Sequence, residues 1–341
     1  MGRASVVLVV AVVAVVLCAE VATAAPTVLL RHQWHEGDAF TWLVDVDAAG
    51  EVITRNLTQD PPARTALDVS VLITMPQYQT VEAVDADGNG TVATEIGTIE
   101  MDVTMPLMGT QHITLDMTNG QMTVAGQDQA MPEALGAFAG KPFRATISPR
   151  GEVLKSELPF DLADILGGGA TSPLQAFKTL QQQPLVFPEQ EIAPGYCWTQ
   201  TRDVPVEVPE GAPELPAVEQ AFIYRLVGFE DLGGVECARI EMLSVMDLPG
   251  VLELPMVGPT MAAPLQDASP RMGPIYLSSV ATIWFDNAAG RVEKMEASML
   301  MDMTQELEGS ITVQDQQHDL HVQTQMSGFE VKVSVLRAAE G

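Results

Sequence analysis

The chain has 341 residues, with 17 Lys and Arg against 45 Asp and Glu, and a formal net charge of −28 at pH 7. That balance excludes nucleic acid, whose phosphates need cationic side chains to displace their counterions, and it excludes anionic lipid surfaces on the same ground. Most of the charge reads as a solvated acidic surface that favours solubility, with a surface binding several cations as the alternative.

The N-terminus is read as an export signal. Arg3 supplies a short positive region, Val6 to Ala19 is an apolar run, and Ala22-Thr23-Ala24 is a cleavage site of small residues. The run falls short of the about 20 residues that a helix needs to cross ~30 Å of hydrocarbon. Residues 1–24 are therefore expected to be a cleavable signal peptide, and the mature chain to begin at Ala25, secreted or periplasmic. Leu17 precedes Cys18, where a lipid-modified precursor carries a small residue. No later stretch is long and apolar enough for a transmembrane helix. The signal removes one basic and one acidic residue, Arg3 and Glu20, so the net charge is unchanged.

Beyond the signal the dominant pattern is period-2 alternation. Leu67, Val69, Val71 and Ile73 point one way and Asp68, Ser70 and Thr74 the other; Ile311 and Val313, then Val331, Val333 and Val335, repeat it. Turn chemistry is read as bounding such runs at Ala49-Gly50, Asp87-Gly88-Asn89-Gly90, Asn119-Gly120, Arg150-Gly151, Gly233-Gly234 and Ala289-Gly290. Strands joined by short Gly-containing turns are antiparallel hairpins, and without regular βαβ alternation a parallel sheet is excluded. The fold class is mainly β.

The middle of the chain breaks the pattern. Pro159 to Leu166 is short and amphipathic and is stopped by Gly167-Gly168-Gly169. Ser172-Pro173-Leu174-Gln175 then opens a second helix with a capping box, and a third is expected over Met131 to Ala139. The expected organisation is an N-terminal β half at 25–157, a helical connector at 158–183 and a C-terminal β half at 184–341. The halves match in order: Gly37 to Trp42 with Gly195 to Trp198, the hairpin Val81 to Ile96 with Tyr224 to Ile240, and Phe143 to Glu157 with Ala281 to Ser298. They are read as an old duplication, forming a curved antiparallel sheet or half-barrel with the short helices on its concave face.

The segments PLVFPEQEIAPGYCW and YRLVGFEDLGGVECARI resemble a family of exported bacterial β-proteins without assigned function. The resemblance is strongest over Phe143 to Ile240 and rests on turn and core patterns, so it implies the fold and carries no functional residues. At the level of fold alone the expected shape is similar to the periplasmic lipoprotein carriers.

Two cysteines survive cleavage, Cys197 and Cys237, and an even pair in an oxidising compartment is expected to form a disulfide. Asp85, Asp87 and Asn89, followed by Gly90, match the opening of an EF-hand loop, but Ile96 stands where the bidentate Glu belongs, so a hairpin turn explains them better than calcium. The 18 methionines are the most unusual feature. Met295, Met299, Met301 and Met303 share one face of a strand by parity, with Ala297 between them, while Lys294, Glu296, Ser298 and Asp302 take the other. Thioethers bind Cu(I), but Met is also a flexible apolar filler of cores and cavities. His32/His35 and His318/His321 have H-x-x-H spacing, which on strands points the rings to opposite faces. No nucleophile-elbow, metalloprotease, P-loop or dinucleotide motif is present, and Asn56-Leu57-Thr58 is a formal glycosylation sequon.

The expected function is that of an exported, non-enzymatic protein, without cofactor. It binds an apolar molecule, such as an acyl chain or lipid, in a cleft lined by Met295, Met299, Met301, Met303, Phe160, Leu174 and Phe177. A structural or protein-interaction component of the cell envelope is the first alternative, and a copper- or calcium-binding protein the second.

Overall fold

The structure, a computed structural model, describes residues 27–58, 61–106, 109–131, 136, 139–157, 185–204, 218–248, 252–253, 265–313 and 316–338. The first half carries β1 (Ala39–Asn56), β2 (Ala63–Val84), β3 (Gly90–Ile96), β4 (Thr98–Met105), β5 (Gly109–Asp116), β6 (Gln121–Val124), β7 (Gln127–Ala130), β8 (Phe143–Ile147) and β9 (Val153–Glu157). The second carries β10 (Cys197–Val204), β11 (Val218–Leu232), β12 (Val235–Leu248), β13 (Leu252–Glu253), β14 (Leu265–Asp286), β15 (Arg291–Val313) and β16 (Gln316–Arg337). Every one of these elements is a strand, and the turn expected at Ala49-Gly50 is instead a bulge inside β1, between Ala49 and Glu51. The expected short central helices are not seen among the described residues: Pro159 to Leu166 and the helix opened by Ser172 lie outside them, as does most of Met131 to Ala139. Residues 1–26, which include the expected signal, also lie outside.

All the strands belong to one open antiparallel sheet, in the order β10-β11-β12-β14-β15-β16-β1-β2-β4-β5-β6-β7. A branch leaves β2 through β3, β8 and β9. The fork is at Gly97, whose N–H donates to the Pro76 carbonyl at 2.9 Å. On one side of it β2 pairs with β3, and on the other with β4. The last strand, β16, pairs with both β15 and β1 and so joins the two halves into a single sheet.

The halves share an order of neighbours. β1-β2-β3-β8-β9 run as successive antiparallel partners, and so do β10-β11-β12-β14-β15. Gly37 N–H donates to the Val81 carbonyl and Val81 N–H to the Asp38 carbonyl, both at 2.9 Å. Gly195 and Leu226, then Leu226 and Tyr196, make the same reciprocal bonds at 2.6 and 3.0 Å. A bulge follows at once in both, between Val81 and Ala83 and between Leu226 and Gly228. The first half differs by the excursion β4 to β7, inserted between β3 and β8.

Alternation gives the sheet one apolar face. Its largest cluster gathers Phe222, Tyr224 and Leu226 of β11, Ile240 and Met242 of β12, and Ile283 and Phe285 of β14. Ala297 links this cluster to Val44, Met75 and Val333, and Ile96 and Ile99 link that group to Leu115, Met117 and Met131. Two irregular straps, residues 27–37 and 185–196, cover the main cluster with Leu30, Phe187 and Ile192, each at most 1% exposed. Val28 and Ile192 bind the straps to each other by reciprocal backbone bonds of 2.8 and 2.9 Å. The straps also seize the hairpin turns: His32 N–H donates to the Pro149 carbonyl at 2.7 Å, Gln33 N–H to Gly290 at 3.1 Å and Phe187 N–H to Arg150 at 2.8 Å. Gly290 has φ of 65°, and a Cβ there would collide with the Gln33 backbone, so only glycine fits this crossing.

The expected Cys197–Cys237 disulfide is not formed; Cys237 is a free, buried thiol. Cys197 lies opposite Arg225, Arg225 lies opposite Glu241, and Cys237 is four residues further along β12. Two strand spacings of about 4.8 Å and four residues of about 3.3 Å each put the pair far beyond the ~7 Å limit for a bridge. Burial, with Asp286 and Glu293 nearby, pushes the Cys237 thiol up to about 11. A thiol-labelling experiment read by peptide mapping should leave Cys237 unmodified at pH 8 in the native protein and modify it in denaturant. Rapid native labelling would contradict the packing of β12.

His32 is a strap residue enclosed by Trp34, Phe187 and Phe285, at ring distances of 5.0, 5.4 and 5.3 Å. Its Nδ1 is buried without a hydrogen-bond partner. Burial lowers its pKa from 6.5 to about 4, only partly offset by a hydrogen bond to the Gly290 backbone. Between these values the unfolded chain takes up a proton that the folded chain refuses, so stability falls as pH drops from about 6.5 to about 4 and levels off below. The loss should approach about 3 kcal/mol. Denaturant titrations across this range should show that slope, and His32→Phe should flatten it; an unchanged slope in the variant would assign it to the carboxylates.

Candidate functional site

A cavity of about 980 Å³ borders seven neighbouring strands, from β11 through β12, β14, β15, β16 and β1 to β2. Measured along the sheet, its lining spans six strand spacings, about 29 Å. Each strand contributes three consecutive residues. The central members, among them Tyr224, Met242, Ala281, Ala297, Val333 and Val46, send their side chains to the core. The flanking members point to the opposite face.

Register sorts those flanking side chains into two rows. One runs Arg225, Glu241, Thr282, Glu296, Ser334, Asp45, Thr74 and is wholly polar. The next runs Ile223, Leu243, Val280, Ser298, Lys332, Asp47, Leu72, and its first three members are aliphatic. Val280 and Leu72 are 53% and 51% exposed, unusually high for large apolar side chains in the middle of long strands. The cavity therefore has a polar bank, and a second bank that is apolar at the β11–β14 end and charged at the β16–β1 end.

Most of the charged groups are already engaged. Glu296 pairs with Lys294 at 2.7 Å, Glu241 with Arg239 at 3.4 Å, and Lys332 with Glu330 at 3.4 Å. Asp45 accepts only the Thr74 hydroxyl, at 2.8 Å. Both rows continue beyond the cavity onto β4 and β5, through Glu100 and Thr114 in one and through Asp102 and His112 in the other. There His112 Nδ1 lies 2.8 Å from Asp102, and the Thr114 hydroxyl 3.3 Å from His112 Nε2, all solvent-exposed.

The methionines expected to line a cleft share their face of β15 with Ala297. Met295 packs against the main core cluster. Met299, Met301 and Met303 are half-buried on the same face, opposite Val331, Phe329 and Met326 of β16. None of the four lines this cavity; their strand meets it through Glu296, Ala297 and Ser298. Phe160, Leu174 and Phe177 lie outside the described residues. No sequence signal named the two rows, because each becomes a row only when seven strands are set side by side.

The residues considered for metals are otherwise occupied. The Asp85 carboxylate accepts the Asp87 and Asn89 backbone N–H groups, both at 2.9 Å, and the Asn89 amide at 2.8 Å. The Asn89 side chain first, and the backbone donors after it, hold that carboxyl below its usual range. With Gly88 at φ of 80°, this is a hairpin turn closed on its own acid. His32 is half-buried in its strap with its Nδ1 shielded from solvent, whereas His35 is exposed and 3.3 Å from Asp38. His321 lies 3.5 Å from Glu308, and the side chain of His318 is outside the description. Among the described residues no group of three His, Cys, Asp or Glu is placed to hold a metal ion, and no helix is long and apolar enough to cross a membrane.

No family model matches the sequence. No curated protein matches it either.

Proposed function

We propose that this chain is an exported, non-enzymatic binding protein that holds an extended apolar molecule, an acyl chain or lipid tail, along the seven-strand cavity. The observation that carries the reading is the aliphatic run Ile223, Leu243 and Val280, aligned across three strands among the cavity's lining residues, with Ile223 buried, Leu243 half-buried and Val280 exposed. The volume is at the upper end of the range for small-molecule sites. A void in contact with seven neighbouring strands is what a curved sheet or half-barrel encloses. The matched strand order, bulges and strap bonds of the two halves support the duplication as its origin. Export rests on the signal at residues 1–24, and N-terminal sequencing of the secreted protein should begin at or next to Ala25. A chain that still carries Met1 would remove that part of the reading.

The binding test is a calorimetric series of saturated alkyl ligands differing by one methylene. Each added methylene buried along the aliphatic bank is worth about 0.8 kcal/mol, or about fourfold in affinity. Val280→Glu, at an exposed position that the folded chain tolerates, should weaken every member at least about tenfold. Affinity that does not grow with chain length, or that ignores Val280→Glu, would overturn the site. A protein-interaction role in the envelope is the second reading. Its support is β9, which among the described residues pairs only with β8 and leaves Val153 and Leu154 at 40% and 55% exposure.

A further inference from the structure

We infer that His32 is an acid-sensitive latch for the two straps: when its ring takes up a proton, residues 27–37 and 185–196 come away from the main apolar cluster together, while the sheet beneath them stays folded. Both straps and two hairpin turns meet at this residue. Its ring stacks on Trp34 at 5.0 Å, with 9° between the planes, and lies against Phe187 of the second strap and Phe285 of β14. The backbone of His32 and Gln33 ties the first strap to the β8–β9 and β14–β15 turns, through the Pro149 and Gly290 carbonyls. The straps are joined to each other close by. Arg31 donates to the Pro188 and Glu189 carbonyls at 2.7 and 2.9 Å, and the Thr27 hydroxyl to the Glu191 carboxylate at 2.6 Å. What lifts one strap therefore lifts the other, and with them Leu30, Phe187 and Ile192.

The cage has no place for a charge. Among the described residues His32 Nδ1 is shielded and has no partner, so the hydrogen bond to the Gly290 backbone falls to Nε2. A proton on Nδ1 creates an enclosed, unsatisfied donor on a cation, and opening relieves it by admitting water. The acids on the surrounding elements are engaged or face solvent. On the straps, Glu189 accepts from Arg150 at 2.9 Å, Asp38 lies 3.3 Å from His35, and Glu36 is exposed. On the β8–β9 turn, Glu152 is 3.5 Å from Arg150. At the β14–β15 turn, Asp286 accepts the Ala288 and Ala289 N–H groups, and Glu293 lies between Arg291 and Arg337 at 3.0 and 2.7 Å. On the β2–β3 turn, where Trp34 packs against Gly90, Asp85 is closed on Asn89 and Asp87 is exposed. The straps hang on a few backbone bonds, whereas β15 and β16 pair from Lys294 and Leu336 to Val313 and Gln316. Segments held so unequally open separately.

The test is hydrogen exchange of backbone amides in the full chain at pH 7 and pH 5, corrected for intrinsic rates. A ring that titrates at about 4 when enclosed and at 6.5 when open makes the opening constant about twentyfold larger at pH 5 than at pH 7. The bonded amides of Val28, His32, Gln33, Phe187 and Ile192 should lose protection by that factor, as one group. At both pH values they should be less protected than the amides of β12 and β15 and, unlike those, respond little to low denaturant. Equal protection and equal denaturant response in straps and strands would make the release part of global unfolding and overturn the latch. His32→Phe should abolish the pH step in the straps, and His35→Gln should keep it. A step that survives His32→Phe belongs to the carboxylates and overturns the latch as well. Should His32→Phe fail to fold, the native chain decides by its proton count. One proton per opening limits the change to about tenfold per pH unit, and a steeper loss between pH 6 and pH 5 overturns the assignment to a single ring.

Discussion

Period-2 alternation sorts side chains into a core and a cavity only if neighbouring strands keep a common register. Here that register is carried across the junction where β16, the last strand, lies between β15 and β1. Val333 faces Ala297 on one side and Val46 on the other, so the apolar row begun in the second half continues into the first. A slip of one residue at this junction would turn Lys332 and Ser334 into the core and Val333 outward. The core clusters and the cavity are thus two sides of one constraint.

The straps are the second element on which the arrangement depends. A sheet with one apolar face needs a cover, and among the described residues the main cluster is covered by irregular chain. Irregular backbone must find partners for its polar groups when it packs against a core. Residues 27–37 and 185–196 find them in each other and in the turns at Pro149, Arg150 and Gly290. This accounts for the enclosure of His32 and for glycine at position 290. The polar groups of the turns that join strands in each half become the anchors for the cover.

Much of the sheet was legible in the sequence. The Gly-containing turns after Val84, Asp231 and Asp286 mark hairpins, and the parity of residues 294–302 separates a core face from a polar one. Met295 does join the core, and Glu296 and Ser298 do face away from it. The location of the cavity was not legible. Methionines on the buried face suggested a space beside them, and the cavity takes Glu296, Ala297 and Ser298 from their strand. Asp45, Val280 and Leu243 become neighbours only through strand order, which local pattern does not encode. The cysteine pairing failed for the same reason, since two residues of an alternating pattern say nothing about the strand interposed between them.

The closure of β16 onto β1 has a consequence for how the molecule is made. A chain emerging from its N-terminus presents β1 first, with β2 as its only early partner, while the other edge waits until nearly the whole polypeptide has appeared. Contacts of such long sequence separation form late and slowly. Throughout that interval an apolar, unpaired edge is open to any other extended chain. A product truncated before residue 316 could never cover it. Covering that edge therefore turns on β16, and a holdase that shields β1 during synthesis would act where the fold is most exposed.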